Sequence, residues 1–462
     1  MGFDTSHWQG RLDELGAAHR VPGAALAVLT GGTVHELATG VLHRGTGVET
    51  TADSVFQLGS VAKVYTATLA MGLAEEGLLD LDAPVRDVLP DFSLADEEAA
   101  GVITPRHLLT HTSGLSCDLV VDTGRGDDCL ARFVAACAKE DLDCPPGTAL
   151  SYSTSGFSVL GRVIEVLTGS TWDRALRDRV LDPLGLDHTM TLPEEALRFR
   201  TAMGHTGGAG EGPEPAPAWD LMTRSSSPGA MVLATAGDMV RLARAHLEDG
   251  RAADGVRVLA PRTVRAMREL QAESPDKWSV EAAGWGLGWT LYDWDGVRGF
   301  GHDGAATGQY SYLRAVPGAG VALALVTNGG GARSLYADLF GELLASLADV
   351  RMPDRFAPPE QPPAVDTARL TGAYRRPGVV ITVTGGGNGL RMVYEFVDGM
   401  SRFSPPLEAD LVPVEETATA TVFAASVSGT SFGEDWMPVV FTTSADGTRY
   451  AYVGMRAAPE VV

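Results

Sequence analysis

The stretch Gly59-Ser60-Val61-Ala62-Lys63-Val64-Tyr65-Thr66-Ala67-Thr68-Leu69-Ala70-Met71-Gly72-Leu73-Ala74-Glu75-Glu76-Gly77 carries the fold's most informative signal. From Val64 onward apolar residues fall on nearly every face and the run stops at a glycine, which predicts a helix buried on all sides. A serine stands at its N-terminal turn and a lysine three residues on, and residues three apart share a helix face. Hydroxyl and amine are thereby placed to meet. Serine is a weak nucleophile until a base takes its proton, and a lysine in a desolvated pocket loses enough basicity to serve as that base. The position of Ser60 also suits a helix N-cap, a role compatible with catalysis.

The 462 residues contain three lysines, Lys63, Lys139 and Lys277, against thirty-three arginines. Arginine cannot be deprotonated in a protein, so a base position is one where lysine cannot be exchanged for it. Ser274-Pro275-Asp276-Lys277 has the same spacing as Ser60 to Lys63, but it lies in a polar stretch with no apolar helix behind it. Spacing alone is therefore weak evidence, and the buried helix is what marks Ser60 and Lys63.

Two further segments supply groups for acyl chemistry. Tyr152, in Ser151-Tyr152-Ser153-Thr154, sits on a turn before an amphipathic helix. It either packs there or, if it faces Ser60 and Lys63, carries a proton between the serine oxygen and a leaving group. Gly301-His302-Asp303-Gly304-Ala305 precedes an apolar run and reads as an edge strand and turn. Glycine lets a substrate approach the backbone closely, and the N–H groups of Ala305 and Ser60 can form an oxyanion hole. A His-x-Gly in isolation is equally a surface turn.

Around these segments the chain divides. Ala24–Leu29 and Val321–Thr327 are strand-like and lie near the two ends of a mostly helical region, so they are expected to pair in one antiparallel sheet with a helical lobe beside it. Arg355–Asp366, with Pro358, Pro359, Pro362 and Pro363, predicts an extended connector. We expect domains at residues 1–355 and 367–462 with a linker at 356–366. In the second, short β-branched and aromatic runs at 372–375, 379–383, 390–394, 420–425, 437–442 and 450–453 predict a small antiparallel barrel or sandwich. The Gly204–Ala218 stretch, rich in Gly, Pro and Glu, is expected to be a surface loop or lid.

With 45% hydrophobic and 21% charged residues the composition is that of a globular protein. Thirty-six basic against 59 acidic residues leave a net charge of −23, which repels phosphate backbones and anionic headgroups and argues against nucleic acid as a partner. No run is long enough to span a bilayer, and Met1–Trp8 has no secretory pattern, so a cytoplasmic location and no membrane association are expected. Gly2 with Ser6 matches a myristoylation pattern, which the Arg-rich, bacterial-like usage disfavours. Cys117, Cys129, Cys137 and Cys144 lack zinc-site spacing, so no metal is expected; reduced, partly buried thiols without chemical role are the reading, with one or two disulfides as the alternative.

Taken together, Ser60-x-x-Lys63, Tyr152-x-Thr154 and His302-x-Gly304, in that order, resemble the class C β-lactamase and penicillin-binding-protein superfamily of serine hydrolases. Ile103-Thr-Pro-Arg-His-Leu-Leu-Thr-His-Thr-Ser-Gly-Leu115 is similar to that superfamily as well. The resemblance implies an α/β (α+β) β-lactamase/transpeptidase-like domain with an antiparallel sheet and a helical lobe. It implies Ser60 as acylated nucleophile, Lys63 as base, Tyr152 as proton shuttle, His302 at the third motif and the N–H groups of Ser60 and Ala305 as oxyanion hole. Thr154 and Gly304 then line the substrate site, and no cofactor is implied. Thr154 stands where the family has an Asn that contacts the acyl group, and His302 replaces a customary Lys; the latter replacement resembles the esterase, D-aminopeptidase and acyl-transfer branches.

Within these branches the chain most resembles the penicillin-binding-protein-type thioesterases of peptide-antibiotic pathways, which carry a lipocalin-like β-barrel after the hydrolase domain. That resemblance implies release of a nonribosomal peptide from a peptidyl carrier protein by head-to-tail cyclisation, with a D-residue at the acylating end. A cytosolic esterase or D-stereospecific aminopeptidase is the alternative. In the cyclase branch a basic residue near the chain's end contacts substrate; Arg456 is the candidate, with Arg449 second and an exposed surface arginine the competing view.

Overall fold

The strand-like segments near the two ends of the first 350 residues pair as expected. In the computed structural model, which describes residues 2–117, 119, 121–207, 212–220, 222–386, 389–397, 405–426 and 436–461, helix α1 (Thr5–Ala18) leads into β1 (Gly23–Thr30) and β2 (Thr33–His43). Helix α2 (Ala62–Glu75) and helix α3 (Ser155–Thr168) belong to the helical lobe. The chain returns to the sheet through β3 (Thr290–Trp294), β4 (Val297–Ala306), β5 (Gln309–Val316) and β6 (Val321–Thr327), and closes with α4 (Ala332–Ala348). β1 runs antiparallel to β6 with Leu26 opposite Leu325. The order from β2 is β2-β1-β6-β5-β4-β3, extended at both edges by two-residue strands.

Alternation across the paired strands explains why they are apolar throughout. Leu26, Val28, Leu323 and Leu325 face α1 and α4, packing with Leu12, Leu339 and Leu343. Ala25, Ala27, Ala322 and Ala324 face the helical lobe, where small side chains let the helix Ala236–Leu247 approach. A sheet covered on both faces has no polar side to show. Helix α2 is buried from Ala62 to Met71, as its sequence requires. Each of its fully buried leucines contributes about 2 kcal/mol of hydrophobic stabilisation.

The C-terminal region is a nearly closed barrel of eight strands among the described residues. They are β7 (Gly372–Arg376), β8 (Val379–Gly386), β9 (Gly389–Phe396), β10 (Leu407–Glu416), β11 (Ala420–Ser426), β12 (Trp436–Thr443), β13 (Arg449–Val453) and β14 (Arg456–Pro459), hydrogen-bonded in that order. A bridge between Tyr374 and Glu460, with Val461 N–H donating to the Ala373 carbonyl at 2.8 Å, brings the last strand back to the first. Two strands add to the six runs read in the sequence. β10 was obscured by Pro413, which sits at a bulge, and by four acidic residues. β14 was hidden because the turn before it is only Gly454-Met455.

Of the Gly204–Ala218 stretch, residues 208–211 lie outside the described residues. Its described ends pair as His205–Thr206 with Glu214–Pro215. All four cysteines are free thiols, and burial pushes those of Cys137 and Cys144 up to about 12.

Candidate active site

Ser60 lies on the 3-10 turn Gly59–Val61 that runs directly into α2, and neither this turn nor α2 has a side-chain cap. The hydroxyl is thus not spent on the helix end. Gly59 has φ +54°, and a Cβ there would collide with the backbone of Ala305. Gly304 is equally constrained, because a Cβ would strike the Leu58 carbonyl. Ser311 Oγ–H donates to that same carbonyl at 2.7 Å. Two glycines and one serine therefore hold β4 against the turn, bringing the backbone of Ala305 beside Ser60. The Asp303 side chain, held by Arg314 at 3.0 Å, fixes the strand from its far side.

Lys63 is fully buried one helical turn beyond Ser60. Its Nζ lies 3.3 Å from Ser60 Oγ, 3.2 Å from Thr154 Oγ1 and 2.7 Å from the Gly229 carbonyl. Burial lowers its pKa from 10.5 to about 7, so the neutral amine is a substantial fraction at neutral pH and predominates above it. The Gly229 carbonyl is a partner sequence reading missed. It belongs to the short helix Ser227–Ala230, which Thr66 pins by donating to the Pro228 carbonyl at 2.6 Å. A backbone acceptor leaves no side-chain signal in sequence.

Tyr152 is buried with its phenol hydrogen-bonded to the Ser60 side chain, and Lys63 Nζ lies 4.6 Å from its ring centre. Burial raises the phenol's pKa, with the Ser60 bond opposing, so the proton stays on the oxygen. His111 packs on its ring at 4.4 Å between centroids and accepts the Ser153 N–H at Nδ1, 3.1 Å away. His111 occupies the stretch noted above, without an assigned role there. It supports Tyr152 from behind.

His302 is buried, and its Nδ1–H donates to the Asp303 carbonyl at 2.6 Å. Burial, followed by the charge of Lys63, lowers its pKa to about 4. It is therefore neutral in the range where Lys63 titrates, with Nε2 as an acceptor. Its ring centre is 6.3 Å from that of Tyr152.

The two arginine candidates part company. Arg456 reaches the site: its guanidinium carbon is 5.9 Å from the Tyr152 ring centre and Nη2 is 3.3 Å from Cys117 Sγ. Arg449 stands at the other end of β13, four residues or roughly 13 Å away along the strand. There Nε donates to Glu460 at 2.7 Å, and the guanidinium also meets the Arg369 carbonyl. These donors tie the barrel's ends together. Cys117 stands beside Arg456. Read as chemically idle, it lies between Arg456 and Thr154, with Sγ 3.5 Å from Thr154 Oγ1.

The family model described as beta-lactamase matches residues 8–346. The chain belongs to the β-lactamase family. Penicillin-binding protein 4 of Amycolatopsis lactamdurans is 61% identical over 378 residues, 82% of this chain and 99% of that protein. Esterase EstB of Burkholderia gladioli is 33% identical over 39% of this chain and 50% of its own. Among solved structures, SurE is similar over 99% of both chains at 30% identity and TM-score 0.79, and SurE with D-Leu at 29% and 0.76. That match takes in the barrel as well as the β-lactamase region. As a β-lactamase-family member the chain has the fold of a serine hydrolase superfamily, which supports an enzymatic role. No helix among the described residues is long and apolar enough to cross a membrane.

Proposed function

We propose that the protein is a penicillin-binding-protein-type thioesterase that releases a nonribosomal peptide from its carrier-protein thioester by head-to-tail macrolactamisation, with a D-residue at the acylating end. Lys63 takes the Ser60 proton as Oγ attacks the thioester carbonyl. The C–S bond breaks, and the pantetheine thiol leaves with that proton. The peptide's own amine then attacks the Ser60 ester; the C–N bond forms, the C–O bond breaks, and the amine's proton returns to Ser60 through Lys63 or Tyr152. The N–H groups of Ser60 and Ala305 carry the oxyanion in both steps.

The observation that carries this reading is the seat of the barrel beside the serine. The Met455 carbonyl accepts the Tyr152 N–H at 3.0 Å, and the next residue is Arg456, over the Tyr152 ring. A second domain at the rim of the cleft supplies a wall against which a peptide can fold back, and an intramolecular amine outcompetes water when it is held near the ester and water is excluded. The similarity to the SurE structure holding D-Leu supports a D-configured donor. A second reading, an esterase or D-stereospecific aminopeptidase that passes the same acyl group to water, draws on the similarity to Esterase EstB.

Mass spectrometry of products from linear peptidyl thioesters ending in D- or L-residues, with wild type and Ser60→Ala, separates the two. A product one water lighter than the linear acid, formed from D-ended donors and dependent on Ser60, is expected. Linear acid alone would move the function to the hydrolase.

A further inference from the structure

β13 and β14 are joined by the two-residue turn Gly454-Met455, with φ +59° and +67°. Such a turn matches the twist of a hairpin but requires left-handed backbone at both positions, which glycine adopts freely and methionine does at a cost of about 1 kcal/mol. Strain of this kind persists where the surroundings over-determine it. Here the residues that do so come from the β-lactamase region.

Met455 N–H donates to Asp276 Oδ2 at 2.9 Å, while its carbonyl accepts the Tyr152 N–H at 3.0 Å. Two residues on, Ala457 N–H donates to Ser151 Oγ at 3.1 Å, and Ser151 Oγ–H donates to Asp143 at 2.6 Å. The Met455 side chain packs with Leu150, Tyr152 and Trp285. Asp276 is completely buried and also accepts the Ser279 N–H at 3.1 Å and the Ser279 hydroxyl at 2.6 Å. It belongs to the Ser274–Lys277 segment whose spacing imitates that of Ser60 and Lys63. Its carboxylate touches none of the reacting groups, yet it grips the N–H of Met455, the residue whose carbonyl holds the Tyr152 backbone and whose neighbour is Arg456.

We infer that Asp276 is a positioning residue for the reaction: it latches the Gly454-Met455 turn into the cleft, and so sets the places of Tyr152 and Arg456 relative to Ser60. This rests on the reading of Ser60 as the acylated group. It does not depend on whether amine or water accepts the acyl.

The test is a double-mutant cycle between Asp276→Ala and Arg456→Ala on turnover of a D-ended peptidyl N-acetylcysteamine thioester, with hydrogen exchange followed at the Tyr152 and Met455 amides. Asp276→Ala is expected to lower kcat/KM about tenfold, as a displaced positioning contact does, and to speed exchange at both amides. The double variant is expected to lose less than the product of the two single losses, because both changes disturb the same placement. Multiplying losses, unchanged turnover of Asp276→Ala, or unchanged protection of the two amides would overturn the latch. Asp276→Asn, of equal size, answers where the alanine variant does not fold: its amide can accept at only one of the two oxygen positions, so it gives up either the Ser279 N–H or the Met455 N–H, and a smaller loss with the same non-additivity is expected. If wild type yields only linear acid, the cyclisation reading fails, and the cycle is read on acid formation.

Discussion

The Lys63 amine donates to the Gly229 carbonyl at 2.7 Å, and this bond orients its lone pair. A neutral amine has two donors and one acceptor site. The Gly229 carbonyl takes one N–H, Thr154 Oγ1 at 3.2 Å takes the other, and the lone pair is left for the Ser60 hydroxyl. Serine's single proton then points to Lys63. The proton path thus follows from one backbone carbonyl.

The pH dependence of acylation follows in sign. The pKa of Lys63 is lowered to about 7, so the base form gains as pH rises through that value. Below it, kcat/KM for a thioester is expected to climb about tenfold per pH unit, and above it to level off. His302, lowered to about 4, stays neutral across this window and adds no limb to it. A stopped-flow profile that is flat from pH 5 to 9 would remove Lys63 as the base.

Removal of the phenol should discriminate between leaving groups. Tyr152→Phe keeps the ring that packs on His111 and under Lys63, so the fold is expected to survive. An amide nitrogen needs a proton to depart and a thiolate does not, so turnover of an amide donor is expected to fall about 10²- to 10⁴-fold and that of a thioester by less. Equal losses on both donors would remove the proton-carrying role.

Gly304→Ala tests the oxyanion hole by geometry alone. The new Cβ would strike the Leu58 carbonyl, so β4 must move away from the Ser60 turn and carry Ala305 with it. Loss of one oxyanion donor costs about 10²- to 10³-fold in kcat. The expected result is a loss of that size in acylation rate with the barrel still folded by circular dichroism. Wild-type acylation would place the donor elsewhere.

What was legible in the sequence is local in sequence. Ser60 and Lys63 share one helical turn, and the apolar character of α2 announces its burial; Leu26 and Leu325 sit in strand-like runs expected to pair in one antiparallel sheet. What was not legible is carried by backbone groups or by contacts between distant segments. Gly229 acts through its carbonyl, and Met455 is held by Asp276, 179 positions away, through its N–H. Cys117 looked inert because its position among other cysteines says nothing of Arg456, 339 positions on. Arg449 and Arg456 are equivalent to a reader of composition, and the direction of β13 separates them.

That separation yields the last prediction. Arg456→Ala is expected to lower the fraction of cyclic product from a D-ended peptidyl thioester while leaving acylation of Ser60 by a small ester near the wild-type rate, because a small ester does not extend to the β13–β14 turn. Arg449→Ala removes a partly exposed pair with Glu460, worth up to about 1 kcal/mol of stability, and is expected to leave the cyclic fraction unchanged. Product analysis by mass spectrometry and burst kinetics with the ester measure the two effects. Equal loss of cyclisation and small-ester acylation in Arg456→Ala would assign the arginine to the integrity of the site, and a lowered cyclic fraction in Arg449→Ala would return the recognition role to the far end of the strand.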